Sequence, residues 1–277
     1  INKGASVIIC SKKYKSANKN VLFIRKKNIR FFLSEIASKF YKNKPKNIIA
    51  VTGTNGKTSV ADMFYQILRI NKISAASIGT LGIKYNGRTI KTNLTSPDTI
   101  TLHKYLSFLK NKKINNVIIE SSSHGLSQKR LHHINFKGAV FTNFSQDHLD
   151  YHKTMRAYLN AKLILFSEIL NKKSTIIADK KIKPFTQLKK ISKNRNLKLL
   201  DINKEYGKIN KLSIGLNGDF KIKNLSMAIK AVKLCGIKDE LIYKNLKKVR
   251  DVNGRLELVK NYPNGIKVFT DYAHTPD

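Results

Sequence analysis

The sequence has no tryptophan, two cysteines and five prolines in 277 residues, and only 17 acidic residues against 54 basic ones. Cys10 and Cys235 are too few for a disulfide framework or a thiolate zinc knuckle. Apolar runs such as "VIIC" and "NVIIE" fall far short of the ~20 residues that span a bilayer. No secretory leader is visible at the start. The first residue is Ile1 and the last are "DYAHTPD", which reads as a chain cut at both ends. These absences suit a cytoplasmic enzyme with no membrane partner.

The shortage of acid leaves a formal charge of +37, which invites a nucleic-acid reading. The distribution argues otherwise. Of the basic residues 45 are Lys and nine Arg, scattered from Lys3 to Lys267 without clustering beside aromatics. Background composition filling solvated positions explains that pattern better than a specific nucleic-acid surface.

Short β-rich runs alternate with longer amphipathic segments, which predicts an α/β domain with a largely parallel sheet. Residues 47–53 read as a buried strand and 57–71 as the following helix. Asn86-Gly87 signals a two-residue hairpin turn. A helix follows Pro97, "NNVIIE" and "GAVFTNF" read as strands, and 154–170 as a helix. "STIIAD" is a further strand, and "FKIKNLSMAIKAVKLCG" a helix closed by Gly236. No internal repeat is present. Polar 39–47 and "VKNYPNG" at 259–265 mark the boundaries of a central domain.

Gly53, Gly56, Lys57 and Thr58 stand between the strand and the helix, the context of a phosphate-binding loop. The glycines admit backbone N–H groups to phosphate, and the helix N-terminus adds favourable partial charge. Lys57 suits the β- and γ-phosphates and the Thr58 hydroxyl suits Mg²⁺. Val51 stands where the longer pattern has glycine, so the match is to a shorter GxxGK[TS] form. Glu120, at the tip of "NNVIIE", is placed like a metal-facing carboxylate; a solvent-facing strand end is the alternative. Asp147, His148, Asp150 and His152 cluster without further zinc-type spacing, leaving either a hard-metal site with one His or a set of caps and turns. Met155, Leu159, Lys162 and Phe166 form one apolar stripe, so Lys162 falls on a buried face. A lysine kept neutral there can add CO₂ and become an anionic carbamate ligand.

"GTNGKTS", "ESSSHGL", "FTNFSQDHLDYH", "AYLNAKLILF", "NGRLE" and "DYAHTPD" together resemble the Mur ligases in order and spacing. The resemblance spans nearly the whole chain and is nearest the MurE type, which extends UDP-MurNAc-dipeptide by one amino acid. It implies that Gly53, Thr54, Asn55, Gly56, Lys57, Thr58 and Ser59 cradle ATP. It implies that Glu120 and Thr58 hold one Mg²⁺, and His148 with carbamylated Lys162 a second. Thr95, Ser96, Ser122, Gln128 and Arg130 match positions that bind the UDP-muramoyl substrate. Asn224, Arg255, Asp271 and His274 resemble residues around the nucleotide.

Two departures stand out. The family's Asn-x-x-Asn is here Lys221-Ile222-Lys223-Asn224, and the segment that selects the incoming diamino acid lies beyond residue 277. The resemblance therefore implies the end of an N-terminal UDP-binding domain with its exit helix (1–44), a central ATP-binding ligase domain (45–258) and the start of a third, Rossmann-like domain (259–277). It implies a monomer joining meso-diaminopimelate or L-lysine to UDP-MurNAc-L-Ala-D-Glu. A folylpolyglutamate-type ligase, a signalling NTPase, a nucleic-acid-binding module and a fragment that binds ATP without turnover are the competing readings.

Overall fold

A computed structural model describes residues 4–12, 20–212, 216 and 218–272. Two short parallel strands, β1 (Val7–Cys10) and β2 (Leu22–Arg25), precede α1 (Ile29–Phe40). The central domain then runs β3 (Asn47–Thr52), α2 (Lys57–Ile70), β4 (Ala75–Gly79), β5 (Gly82–Tyr85), β6 (Arg88–Ile90), α3 (Thr99–Asn111), β7 (Asn116–Glu120), α4 (Ser123–Ser127) and β8 (Gly138–Phe141). It continues through α5 (Leu149–His152), α6 (Met155–Ile164) with a π-helical turn at Leu165–Ile169, β9 (Thr175–Ala178), α7 (Phe185–Arg195), β10 (Lys198–Asp201), α8 (Asn203–Asn210), α9 (Asp219–Leu234) and α10 (Asp239–Lys244). An antiparallel hairpin, β11 (Glu257–Asn261) and β12 (Lys267–Thr270), follows.

The sheet order is β10-β9-β8-β3-β7-β4-β5-β6. Strands β10 to β4 are parallel, and β5 and β6 extend the sheet as an antiparallel hairpin. The hairpin turn is the expected Asn86-Gly87, with φ of 48° and 78°. Two positive φ values mark a type I′ turn, whose twist suits the flanking strands.

Every residue of β3 is buried, because helices cover both faces of the sheet. Alternation divides its side chains between two cores. Ile49 and Val51 pack with Val60, Phe64, Leu225 and Ile229 under α2 and α9. Ile48 and Ala50 pack with Leu102, Leu106, Phe141 and Phe166 on the opposite face. The predicted strand at 47–53 ends at Thr52, because Gly53 takes a φ of +144°. The predicted 154–170 helix divides at Leu165 into its α and π portions. Gly236 ends the α9 region as expected, with φ +86° and its N–H donated to Lys233 O. Before the central domain the described residues hold the β1–β2 pair and the expected exit helix α1, and β11 begins at Glu257, two residues before the expected boundary.

Candidate nucleotide-binding and metal site

The loop 53–56 joins the tip of β3 to α2. At Gly53 a Cβ would collide with Thr142 Oγ1, and at Gly56, the N-cap of α2, it would lie 2.6 Å from Asn224 Oδ1. Both glycines have positive φ, so backbone conformation and space demand them together. The loop is tied to the segment after β8: Thr54 N–H donates to Asn143 O at 3.1 Å and Asn55 N–H to Asn143 Oδ1 at 2.8 Å. Thr142 Oγ1 donates to Asn55 O at 2.5 Å. Thr58 and Ser59 are buried in the first turn of α2.

Lys57 turns back over this loop, donating to Gly53 O at 3.0 Å and Thr54 O at 2.5 Å. Desolvation holds its ammonium below the usual lysine range, against the raising effect of Glu120 and Asp147. Glu120 is 1% exposed. Its carboxylate accepts from Thr58 Oγ1 at 2.9 Å, Thr80 N–H at 2.9 Å and Thr80 Oγ1 at 3.2 Å. Burial pushes its pKa up, while Lys57 and the two threonines pull it down. The last residue of β4 has to be glycine beside it, since a Cβ on Gly79 would overlap the carboxylate. A buried carboxylate paired with a hydroxyl at a helix N-terminus is a hard oxygen donor set, the kind Mg²⁺ takes together with phosphate oxygens.

Lys162 is 1% exposed on α6. Its Nζ donates to Gly53 O at 2.6 Å and lies 4.2 Å from the centre of the Tyr158 ring. Burial drives its pKa well below 10.5, and the Lys57 charge adds to the effect. His148 has a left-handed backbone (φ 52°) and its ring stands 5.9 Å from Tyr158, the ring that the Lys162 amine also approaches. Asp147 accepts the His148 N–H at 2.8 Å and lies 3.3 Å from Nε2. Burial lowers the His148 pKa, and Asp147 opposes that shift. Among the described residues no group of three or more His, Cys, Asp and Glu converges to hold a metal. His152 packs instead against His124 and Tyr158. As an ammonium Lys162 would repel a cation; as a carbamate it would add two oxygens to the His148 side of the loop.

The residues matched to the muramoyl substrate form one connected network. Ser96 Oγ donates to the Glu120 backbone carbonyl at 2.8 Å and accepts from Ser122 N–H at 2.9 Å. Arg130 donates to Ser96 O at 2.8 Å and Gln128 Oε1 at 2.7 Å, and Thr95 Oγ1 lies 3.1 Å from Thr80 Oγ1. Asn224 packs against Gly56, and the charge of Arg255 reaches Lys57. Asp271 is exposed beside Tyr272, whose ring lies 5.0 Å from the Arg255 guanidinium carbon. His274 lies outside the described residues.

Sequence reasoning missed Thr80, Asn143 and Tyr158. Thr80 and Asn143 follow strand ends, where α/β sheets gather ligand groups. Tyr158 precedes Lys162 by one helical turn, a spacing that would have placed its ring beside the amine.

A parallel sheet with a Gly-Lys-Thr loop at the tip of a central strand, faced by a buried carboxylate, defines a phosphate-loop nucleotide-binding domain. The Mur ligase middle domain matches residues 51–232, and the chain belongs to that family. It is 36% identical to the UDP-N-acetylmuramoyl-L-alanyl-D-glutamate--2,6-diaminopimelate ligase of Rhizobium meliloti, over 90% of this chain and 56% of the relative. It is 35% identical to the ligase of the same name from Rickettsia montanensis, over 100% of this chain and 62% of that one. The chain thus spans little more than half the length of these relatives. Its fold is similar to a solved structure of a ligase with that name (TM-score 0.77, 23% identity, 92% of this chain and 57% of the other). It is also similar to Mycobacterium tuberculosis folylpolyglutamate synthase complexed with ADP (TM-score 0.70, 17% identity, 90% and 67%).

Proposed function

We propose that this chain carries the ATP-binding core of an amide ligase of peptidoglycan precursor synthesis. The reaction joins meso-diaminopimelate or L-lysine to UDP-MurNAc-L-Ala-D-Glu. The observation that carries the reading is the convergence of Lys57, Glu120 and Lys162 on one loop, within a connected Ser96–Ser122–Arg130 network. The names of the curated relatives support the substrate assignment.

In this reading the phosphate chain of ATP lies along the 53–59 loop, with Lys57 on the β- and γ-phosphates and Asn224, Arg255, Asp271 and His274 around the nucleotide. Thr58 and Glu120 would hold one Mg²⁺, and His148 with carbamylated Lys162 the other. Bound there, the ions supply charge neutralisation as one anion approaches another. The Lys162 amine forms its carbamate by attacking CO₂ through nitrogen and releasing one proton. Thr95, Ser96, Ser122, Gln128 and Arg130 would orient the muramoyl dipeptide, with Arg130 as a fork donor. The D-glutamyl carboxylate takes the γ-phosphoryl group, and the diamino acid amine displaces phosphate from the acyl phosphate. The partners are therefore two small molecules, with no specific nucleic acid or membrane, and the working form is a cytoplasmic monomer. Among the described residues no helix is long and apolar enough to cross a membrane.

We assign 1–44 to the end of a UDP-binding domain and 259–277 to the start of a third domain. The deciding experiment extends the chain at both ends and assays ATP- and UDP-MurNAc-dipeptide-dependent ligation of meso-diaminopimelate against L-lysine. Phosphate release driven by a folate and glutamate instead would move the chain to the folylpolyglutamate type.

A further inference from the structure

Lys221 stands where the Asn-x-x-Asn pattern has its first asparagine, and its side chain is 5% exposed. Its ammonium donates to Asp251 Oδ1 at 2.6 Å and to Leu256 O at 2.8 Å, both in the segment before β11. The two acceptors bracket a tight turn. Gly254 and Leu256 both have positive φ, 65° and 45°. For leucine that is an uncommon, strained conformation, which persists only where surrounding contacts hold it. Within the turn Arg255 N–H donates to Val252 O at 3.0 Å, and Gly254 N–H to Glu257 Oε2 at 2.8 Å. The guanidinium of Arg255 leans on Tyr272, and its charge reaches Lys57. One buried lysine therefore grips both ends of the segment that presents Arg255. Meanwhile Asn224, three residues on, remains against Gly56.

We propose that Lys221 is a positioning residue: paired with Asp251, it latches the 251–256 turn so that Arg255 faces the phosphate loop. Removing Asp251 leaves the Lys221 ammonium buried without its counter-ion, and removing Lys221 takes away the donor that ties Asp251 to Leu256, so either change releases the turn. The role of Arg255 toward the nucleotide rests on the reading above; the latch itself does not.

Two measurements on this chain separate them. Trypsin cleavage of the Arg255–Leu256 bond reports the open turn when opening is fast relative to cutting, so Lys221→Met and Asp251→Asn should each accelerate it about tenfold. Cleavage at other sites should hold its rate. In Mg·ATP titrations Lys221→Met should weaken affinity about tenfold, but less than about twofold in an Arg255→Ala background, since the lysine acts through that arginine. Unchanged cleavage at Arg255 would overturn the latch. An undiminished effect of Lys221→Met in the Arg255→Ala background would overturn positioning in favour of direct nucleotide contact. If Lys221→Met does not fold, Asp251→Asn carries both measurements, because its carboxylate is 22% exposed. Failure of the unaltered chain to bind Mg·ATP would overturn the nucleotide reading and leave cleavage to decide the latch.

Discussion

Lys57 and Lys162 donate to the same acceptor, the carbonyl oxygen of Gly53, at 3.0 and 2.6 Å. Two ammonium groups on one oxygen repel each other, and Lys162 does so with 1% of its surface exposed. Desolvation, with the Lys57 charge adding to it, favours the neutral amine at Lys162. The phosphate loop thereby holds two buried lysines, of which Lys57 is offset by the charges of Glu120 and Asp147 and Lys162 is driven furthest toward the neutral amine.

Lys57→Ala should weaken Mg·ATP binding by at least about a hundredfold, the scale of losing a strong charge-assisted contact with phosphate. Isothermal titration of this chain measures it. Undiminished affinity would remove the phosphate-loop assignment.

Lys162→Ala in the extended enzyme should lower kcat by about a thousandfold, as when a preorganised electrostatic group is removed. Acetate or formate at high concentration should restore part of the rate by standing in for the carbamate. Full activity without added carboxylate would sink the metal role.

The pH dependence of stability has a definite sign at Lys162. Its folded pKa lies well below the ordinary lysine value. Between the two values the unfolded chain binds the extra proton, so stability rises with pH across that window. Lys162→Met should flatten the rise in urea midpoint on the approach to the ordinary lysine value from below. An unchanged slope would show that another group carries it.

His103 lies fully buried, with neither ring nitrogen hydrogen-bonded among the described residues, and burial pushes its pKa down to about 3. Below its ordinary value of 6.5 the unfolded state takes up a proton that the folded state refuses. Stability is therefore lost as pH falls from that value toward about 3. His103→Leu should raise the thermal midpoint more at pH 5 than at pH 8. Equal shifts at both would refute the titration argument.

Gly79→Ala tests the placement of Glu120. Its Cβ would overlap the carboxylate, so unfolding free energy should fall by about 1–3 kcal/mol, as in other overpacked sites. Urea denaturation reads the loss, and Gly207→Ala, with no atom within 4 Å of the new carbon and no positive φ, should show none. A Gly79→Ala protein as stable as the parent would contradict the contact.

The fold was legible where pattern and turn chemistry agreed. The buried run "NIIAVT", the Asn86-Gly87 turn and Gly236 after α9 lie where local rules place them. Strand β10 escaped notice because "KLLD" at a sheet edge is half exposed and flanked by lysines, so no apolar run marks it. At the site, Lys162 was legible from helical spacing alone, whereas Thr80 was not, because its partner Glu120 lies 40 residues away.

By itself the sequence determined the local chemistry: which loop can hug phosphate, which turn closes a hairpin, and which lysine must lie against apolar neighbours. Those depend on backbone freedom and periodicity within a few residues. The tertiary structure decided which distant groups meet. Parallel strands β3, β7 and β4 bring their ends to one edge, setting Glu120 beside Thr58 and Thr80. The same packing sets Lys162 under the Gly53 carbonyl and turns Lys221 toward Asp251. A charge in the sequence has no partner until folding fixes distance and dielectric together, and both of these lysines take their character from that step.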